Sequence, residues 1–149
     1  MPGSGPALEP NNDSATPLPD PSTVAPALAP PLQVVATDTP NDGGNSIDVT
    51  WDMPGSESKA AVHVVERRAA GETEWVKAGE AGPGTVSYQD VPMVKGKPVL
   101  VNGTTYEYRV RATLAGQTSA PSAPSSPVAP VASLFNWGRS WVAGFLVLF

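Results

Sequence analysis

A single histidine, His63, and the absence of cysteine limit the chemistry that this sequence can carry. A Ser-His-Asp relay or a two-histidine metal site would have only His63 to draw on. Thiol catalysis, thiolate metal sites and disulfides are excluded outright. His63 stands in an alternating run, on the side of Val65, with Val62, Val64 and Glu66 on the other side. A histidine at such a position is read as a packed, hydrogen-bonded core residue and not as a catalyst. Asp38, Asn41, Asp42 and Asp48 crowd one turn and offer the oxygen ligands that Ca²⁺ favours. Their spacing is not that of an EF-hand, and Asp and Asn in turns usually bond their own backbone, so no metal is assigned. Asn12 and Asn102 each open an Asn-x-Ser/Thr triplet, a short pattern that is given no functional weight. The net charge is −5 and no run of Lys or Arg occurs, which argues against nucleic acid as a partner. The residues therefore give no catalytic, metal or cofactor site, and the chain is not read as an enzyme.

What must position these side chains is a set of short strands. The clearest follows the turn at Asn102-Gly103-Thr104: Tyr106, Tyr108, Val110 and Ala112 alternate with Glu107, Arg109 and Arg111. Before it, the alternation predicts strands over 32–37, 46–52 (with Ile47, Val49 and Trp51 inward) and 61–68, a short one over 74–78 around Trp75, and another over 85–90. The residues 79–84 and 92–98 read as loops. After the turn at Ala115-Gly116-Gln117, residues 119–130 read as a last extended strand grading into a Pro/Ser linker. Seven short strands at about ten-residue spacing, with no helical period between them, predict an all-β sandwich.

The two ends have a different composition. Many of the 18 prolines fall in residues 1–30, which show neither period and read as a disordered Pro/Ala-rich segment. That segment lacks the positive start and apolar stretch of a secretory signal, so either the chain is internal to a longer product or export uses a later hydrophobic segment.

These residues together resemble a fibronectin type III domain, over 31–128. The resemblance is carried by Trp51, by His63-Val64-Val65-Glu66-Arg67-Arg68, and by Leu100-x-Asn102-Gly103-Thr104-x-Tyr106-x-Tyr108-x-Val110-x-Ala112. The closing pattern Gly116-x-x-Ser119-x-x-Ser122 fits as well. It implies a seven-stranded immunoglobulin-like sandwich in which Tyr106 forms the tyrosine corner, its ring in the core and its hydroxyl bonded to backbone before the strand. It also makes the two long strands neighbours, so that Glu66 and Arg68 would pair across them with Glu107, Arg109 and Arg111. Val62 and Val64 share that outer face and are either incidental or the seed of a contact patch. The sequence departs from the family at Asn102, where Pro is frequent, at His63, where Tyr is common, and in a longer loop before Leu100. No Arg-Gly-Asp is present, so integrin binding does not carry over. The turn from Pro40 to Gly44 is similar to those of bacterial extracellular and envelope proteins.

Residues 129–149 form the linker and an apolar segment that begins at Leu134 and continues to Phe149, with Trp137 and Trp141 placed as an aromatic belt and Arg139 as its lone charge. It is too short to span a bilayer and is read as the start of a transmembrane helix in a longer chain, the alternative being a tail packed on the sandwich or on another subunit. The resulting expectation is a non-catalytic, membrane-tethered interaction or spacer module, with its sandwich outside the cytoplasm as the resemblance implies. The other reading is an accessory N-terminal domain of a larger membrane protein or enzyme.

Overall fold

The computed structural model describes residues Ala27 to Ala132. The Pro/Ala-rich segment up to residue 26 and the apolar segment from residue 133 lie outside the described residues. The order is β1 (Leu32–Asp38), β2 (Ile47–Asp52), a one-turn helix α1 (Glu57–Ala60), β3 (Val62–Ala69), β4 (Val76–Ala81), β5 (Ser87–Asp90), the short pair β6 (Met93–Val94) and β7 (Lys97–Pro98), β8 (Tyr106–Leu114) and β9 (Gln117–Thr118). One sheet runs β1-β2-β5 and the other β4-β3-β8-β9, with β6 and β7 forming a separate ribbon. All the paired strands are antiparallel. The result is an all-β sandwich.

Alternation sets the core. Ile47, Val49 and Trp51 of β2 face Val65 of β3 and Tyr106, Tyr108 and Val110 of β8, and Leu100 closes one end. Burying such side chains contributes roughly 1.5–3 kcal/mol each, the term that must offset chain entropy in a domain without cross-links. Leu28, in the segment before the first strand, is buried with Ala61 and Ala112 in a smaller cluster.

Four elements differ from the sequence reading. The strand expected over 74–78 starts at Val76 and runs on to Ala81, into residues read as loop. Ala81 is buried opposite His63, and Gly79 lies under the Tyr88 ring, where a Cβ would collide with it. Alternation could not show this, because small residues carry the pairing. The loop over 92–98 is a hairpin in which Lys95 and Gly96 both have positive φ, as a two-residue type I′ connection requires. Residues 57–60 form one helical turn in a stretch with no strand pattern. Residues 119–130 are not an ordinary strand, because they bond to β8 with a period of three.

In that period-three segment, the amides of Ser119, Ser122 and Ser125 donate to the carbonyls of Ala112, Val110 and Tyr108, and Val128 exchanges both bonds with Tyr106. The three serine Oγ atoms accept from the amides of Ala112, Val110 and Tyr108 at 2.9–3.0 Å. Each hydroxyl also donates to the carbonyl of the following residue. Three residues thus advance against two of β8. The serine hydroxyl replaces the carbonyl that an alternating strand would present, and all three serines are buried.

Candidate functional site: the charged sheet face and the hairpin pole

The outer face of the β4-β3-β8-β9 sheet carries the expected charges. Register places Glu66 opposite Arg109, Arg68 opposite Glu107 and Val64 opposite Arg111. Glu66 pairs with Arg109 and, at 3.2 Å, with Arg111, while Arg68 Nε meets Glu107 at 2.8 Å. The expected cross-strand pairs are therefore present. Trp75 lies across them, 4.5 Å from the Arg68 guanidinium carbon and 4.4 Å from that of Arg109. Each such cation–π contact at a partly open site contributes roughly 0.5–1 kcal/mol. Trp75 precedes β4, and its packing on two arginines was not visible from its own neighbours in sequence. Val62 and Val64 are half-buried in the same row.

Inside the sandwich is an ionic group that alternation alone did not single out. Arg67 follows His63 and Val65 on the inner side of β3 and pairs with Asp90 Oδ2. The same oxygen accepts the Tyr108 hydroxyl at 2.8 Å. Arg67 is 9% exposed, and Asp90 and Tyr108 are fully buried. Burial first, then the negative charge and hydrogen bond of Asp90, push the Tyr108 phenol far up, so it stays a donor at ordinary pH. Burial and Asp90 also raise the Tyr88 phenol, against Arg67. Alternation places Arg67 inward with His63 and Val65, but not its partner Asp90, 23 residues away.

His63 is fully buried, as expected, but neither ring nitrogen has a hydrogen-bond partner in the protein. Ala81 and Ala112 flank it on the neighbouring strands and the Trp51 ring lies 5.5 Å away, and none of these side chains offers an acceptor. The expected hydrogen-bonded histidine is thus a desolvated one, and burial lowers its pKa from 6.5.

The acidic turn is taken up by local bonds. Asp42 accepts from the Gly44 amide at 2.9 Å and from the Ser46 hydroxyl, and Asp48 accepts from Thr39 Oγ1 at 3.0 Å. Asp38 accepts the Val131 amide at 2.8 Å, and Asn41 adopts positive φ. Among the described residues no group of three or more His, Asp or Glu is placed to hold a metal ion. Asn102, the departure from Pro, accepts the Asn45 amide at 2.7 Å, and Asn45 Nδ2 donates to the Leu100 carbonyl at 2.6 Å. This exchange joins the β1–β2 turn to the loop before β8. Asn12 lies outside the described residues.

At this same pole the chain exposes apolar groups. Val91, Met93, Val94, Val99, Val101 and Val131 are six of the ten exposed large hydrophobics among the described residues. Every residue from Met93 to Val99 is exposed, so the β6–β7 hairpin stands clear of the sandwich. Among the described residues no helix is long and apolar enough to cross a membrane.

No family model and no curated protein matches the chain. Solved structures do. Domains A168-A170 from titin are 30% identical, covering 69% of this chain and 32% of that one, with a TM-score of 0.54. The titin kinase with its flanking domains is 25% identical over 81% of this chain and 19% of that one, with a TM-score of 0.52. This chain thus spans about a third and a fifth of those two structures. A fibronectin type III-like protein from Clostridium thermocellum is 19% identical, covering 69% of this chain and 93% of that one, with a TM-score of 0.52. That last likeness is one of fold. With the Tyr106 hydroxyl accepting the Val101 amide at 3.0 Å, as the expected tyrosine corner requires, and the paired sheet face, these similarities make the described sandwich a fibronectin type III-like domain.

Proposed function

We propose that this protein is a non-catalytic, membrane-tethered interaction or spacer module whose sandwich stands outside the cytoplasm. The observation that carries this reading is the division of roles along the chain. Inside the sandwich and on its charged face, the arginines of β3 and β8 are paired with carboxylates. Those charges hold two strands and one indole in place, which is work for a scaffold. Six of the ten exposed large apolar groups among the described residues lie at the pole of Val131, three positions before the apolar sequence beginning at Leu134. A tether there would let a rigid body stand off a bilayer and present its far loops or a sheet edge. Deleting 134–149 should move the protein from the membrane fraction to the soluble fraction. Continued sedimentation with membranes would sink the tether.

A second reading is supported by the coverage of the titin structures, in which a similar domain is one part of a longer chain. Here the sandwich would be an accessory domain of a larger membrane protein or enzyme. The gene sequence beyond Phe149 separates the two. A catalytic domain or further spans would favour the accessory role, and a stop after one span the tethered module.

A further inference from the structure

We infer that the β6–β7 hairpin is a bilayer-contacting element, with Met93 and Val94 entering the headgroup region and Lys95 and Lys97 meeting anionic lipid headgroups. The inference rests on the tethered reading and names the surface that the sandwich faces.

A two-stranded ribbon is marginal in water, and this one exposes Met93 and Val94 at 56% and 59%, above Leu32 and Val35 of β1 and Val76 of β4 at 50–51%. A contact surface would account for such an arrangement. Charge narrows its nature. Arg67, Arg68, Arg109, Arg111 and Lys77 are all ion-paired. Among the described residues Lys59, Lys95 and Lys97 have no such pair, and of these three Lys95 and Lys97 sit beside the two exposed apolar side chains, with Val94 directly opposite Lys97. Apolar side chains flanked by unpaired lysines are the combination that binds an anionic interface, since the stems and neighbours enter acyl boundary while the ammonium groups stay at headgroup level.

Position selects the bilayer over another protein. The ends of β1 and β5 and the start of β2 align at one pole, through Asp38 opposite Ile47 and Ile47 opposite Asp90. The hairpin follows Asp90 at once and is closed at its base by Val99 N to Pro92 O, at 3.0 Å. The departing chain is held to the same pole by Gly103 N to Pro130 O and Val131 N to Asp38 Oδ1. Only two residues then separate Val131 from the apolar sequence at Leu134. On the tethered reading, this is the pole nearest in sequence to the segment that would enter the bilayer. The acids near this pole include the exposed Glu72 and Glu74 on the β3–β4 connection, tied in by Ala70 N to Thr105 O, and the half-buried Asp38 and Asp42, both engaged in hydrogen bonds, so the two hairpin lysines are what would draw an anionic surface.

The chain has no cysteine, so Val94→Cys in the full chain takes a single environment-sensitive dye, and Lys59→Cys on α1 marks the opposite pole. With phosphatidylcholine vesicles containing phosphatidylserine and spin-labelled headgroups, the chain should float with the vesicles. The dye at 94 should then be quenched severalfold more than at 59. Lys95→Glu with Lys97→Glu should reduce that quenching without releasing the chain. Flotation with equal quenching at both positions would overturn the hairpin contact and leave the tether standing. Failure to float would overturn both. A dye response at 94 that rises with protein concentration in the absence of lipid would assign the hairpin to a second copy of the chain and overturn the bilayer contact.

Discussion

The Tyr106 hydroxyl oxygen accepts the Val101 amide hydrogen at 3.0 Å, across five residues of its own chain. The ring is 8% exposed and belongs to the main core. One side chain therefore fixes both the start of β8 and the path of the loop that leads into it. Tyr106→Phe keeps the ring and removes the acceptor, and should destabilise the domain by about 1–2 kcal/mol, the usual loss for a partly buried amide left without its partner. Urea denaturation of the two proteins measures it, with an unchanged slope expected.

Asp90 holds Arg67 and Tyr108 on one carboxylate oxygen, while Oδ1 has no partner. Asp90→Asn leaves the Arg67 charge buried and should cost about 3–5 kcal/mol. The double variant Arg67→Met, Asp90→Leu should lose less than the single one, because no unpaired charge remains inside. Thermal melts of the three proteins at neutral pH give the comparison.

His63 makes stability pH-dependent. Its pKa is lowered in the folded protein by burial, while the unfolded chain titrates near 6.5. Between those values the unfolded state binds the additional proton. This contribution to stability is therefore complete above about pH 6.5 and falls as the pH is lowered toward the folded-state value, by up to about 1.4 kcal/mol per pH unit. His63→Phe should flatten that part of the curve. Denaturation midpoints between pH 8 and pH 5, roughly the range over which histidine titrates, would show it.

Ser122 Oγ is the acceptor for the Val110 amide at 2.9 Å, in the fully buried part of β8. Ser122→Ala should therefore destabilise by about 1–3 kcal/mol, the cost of a buried amide without an acceptor. Ala123 is exposed, and Ala123→Ser beside it should change little. Hydrogen exchange at the Val110 amide should rise in the first variant and not in the second.

The sandwich was legible in the sequence wherever large apolar residues alternate. Ile47, Val49 and Trp51, and Tyr106, Tyr108 and Val110, are inward as their spacing demanded. The cross-strand charges followed once the two long strands were neighbours, since Glu66 and Arg109 then meet by register. Three features did not follow, each for its own reason. β4 pairs through Val76, Lys77, Gly79, Glu80 and Ala81, with a bulge at Ala78, and only Val76 in that run carries a hydrophobic signal. The hairpin at Lys95-Gly96 depends on backbone φ more than on apolar pattern. The role of Arg67 needs Asp90, a residue 23 positions away, before an inward arginine makes sense. For the candidate site the sequence supplied the charged face and the extra length of the loop, but not the exposure of Met93 and Val94.

The period-three segment has a consequence for the border of its sheet. Pro121, Pro124 and Pro127 recur at every third position between the serines that bind β8. None of them has an amide hydrogen, so the side turned away from β8 lacks the continuous row of donors by which a stray strand would attach. The serines spend their hydroxyls on β8 and on the next carbonyl, which leaves little for a newcomer to capture. The last stretch of the domain is thus built to grip one neighbour and refuse the next, which guards against sheet-to-sheet growth when many copies are crowded together.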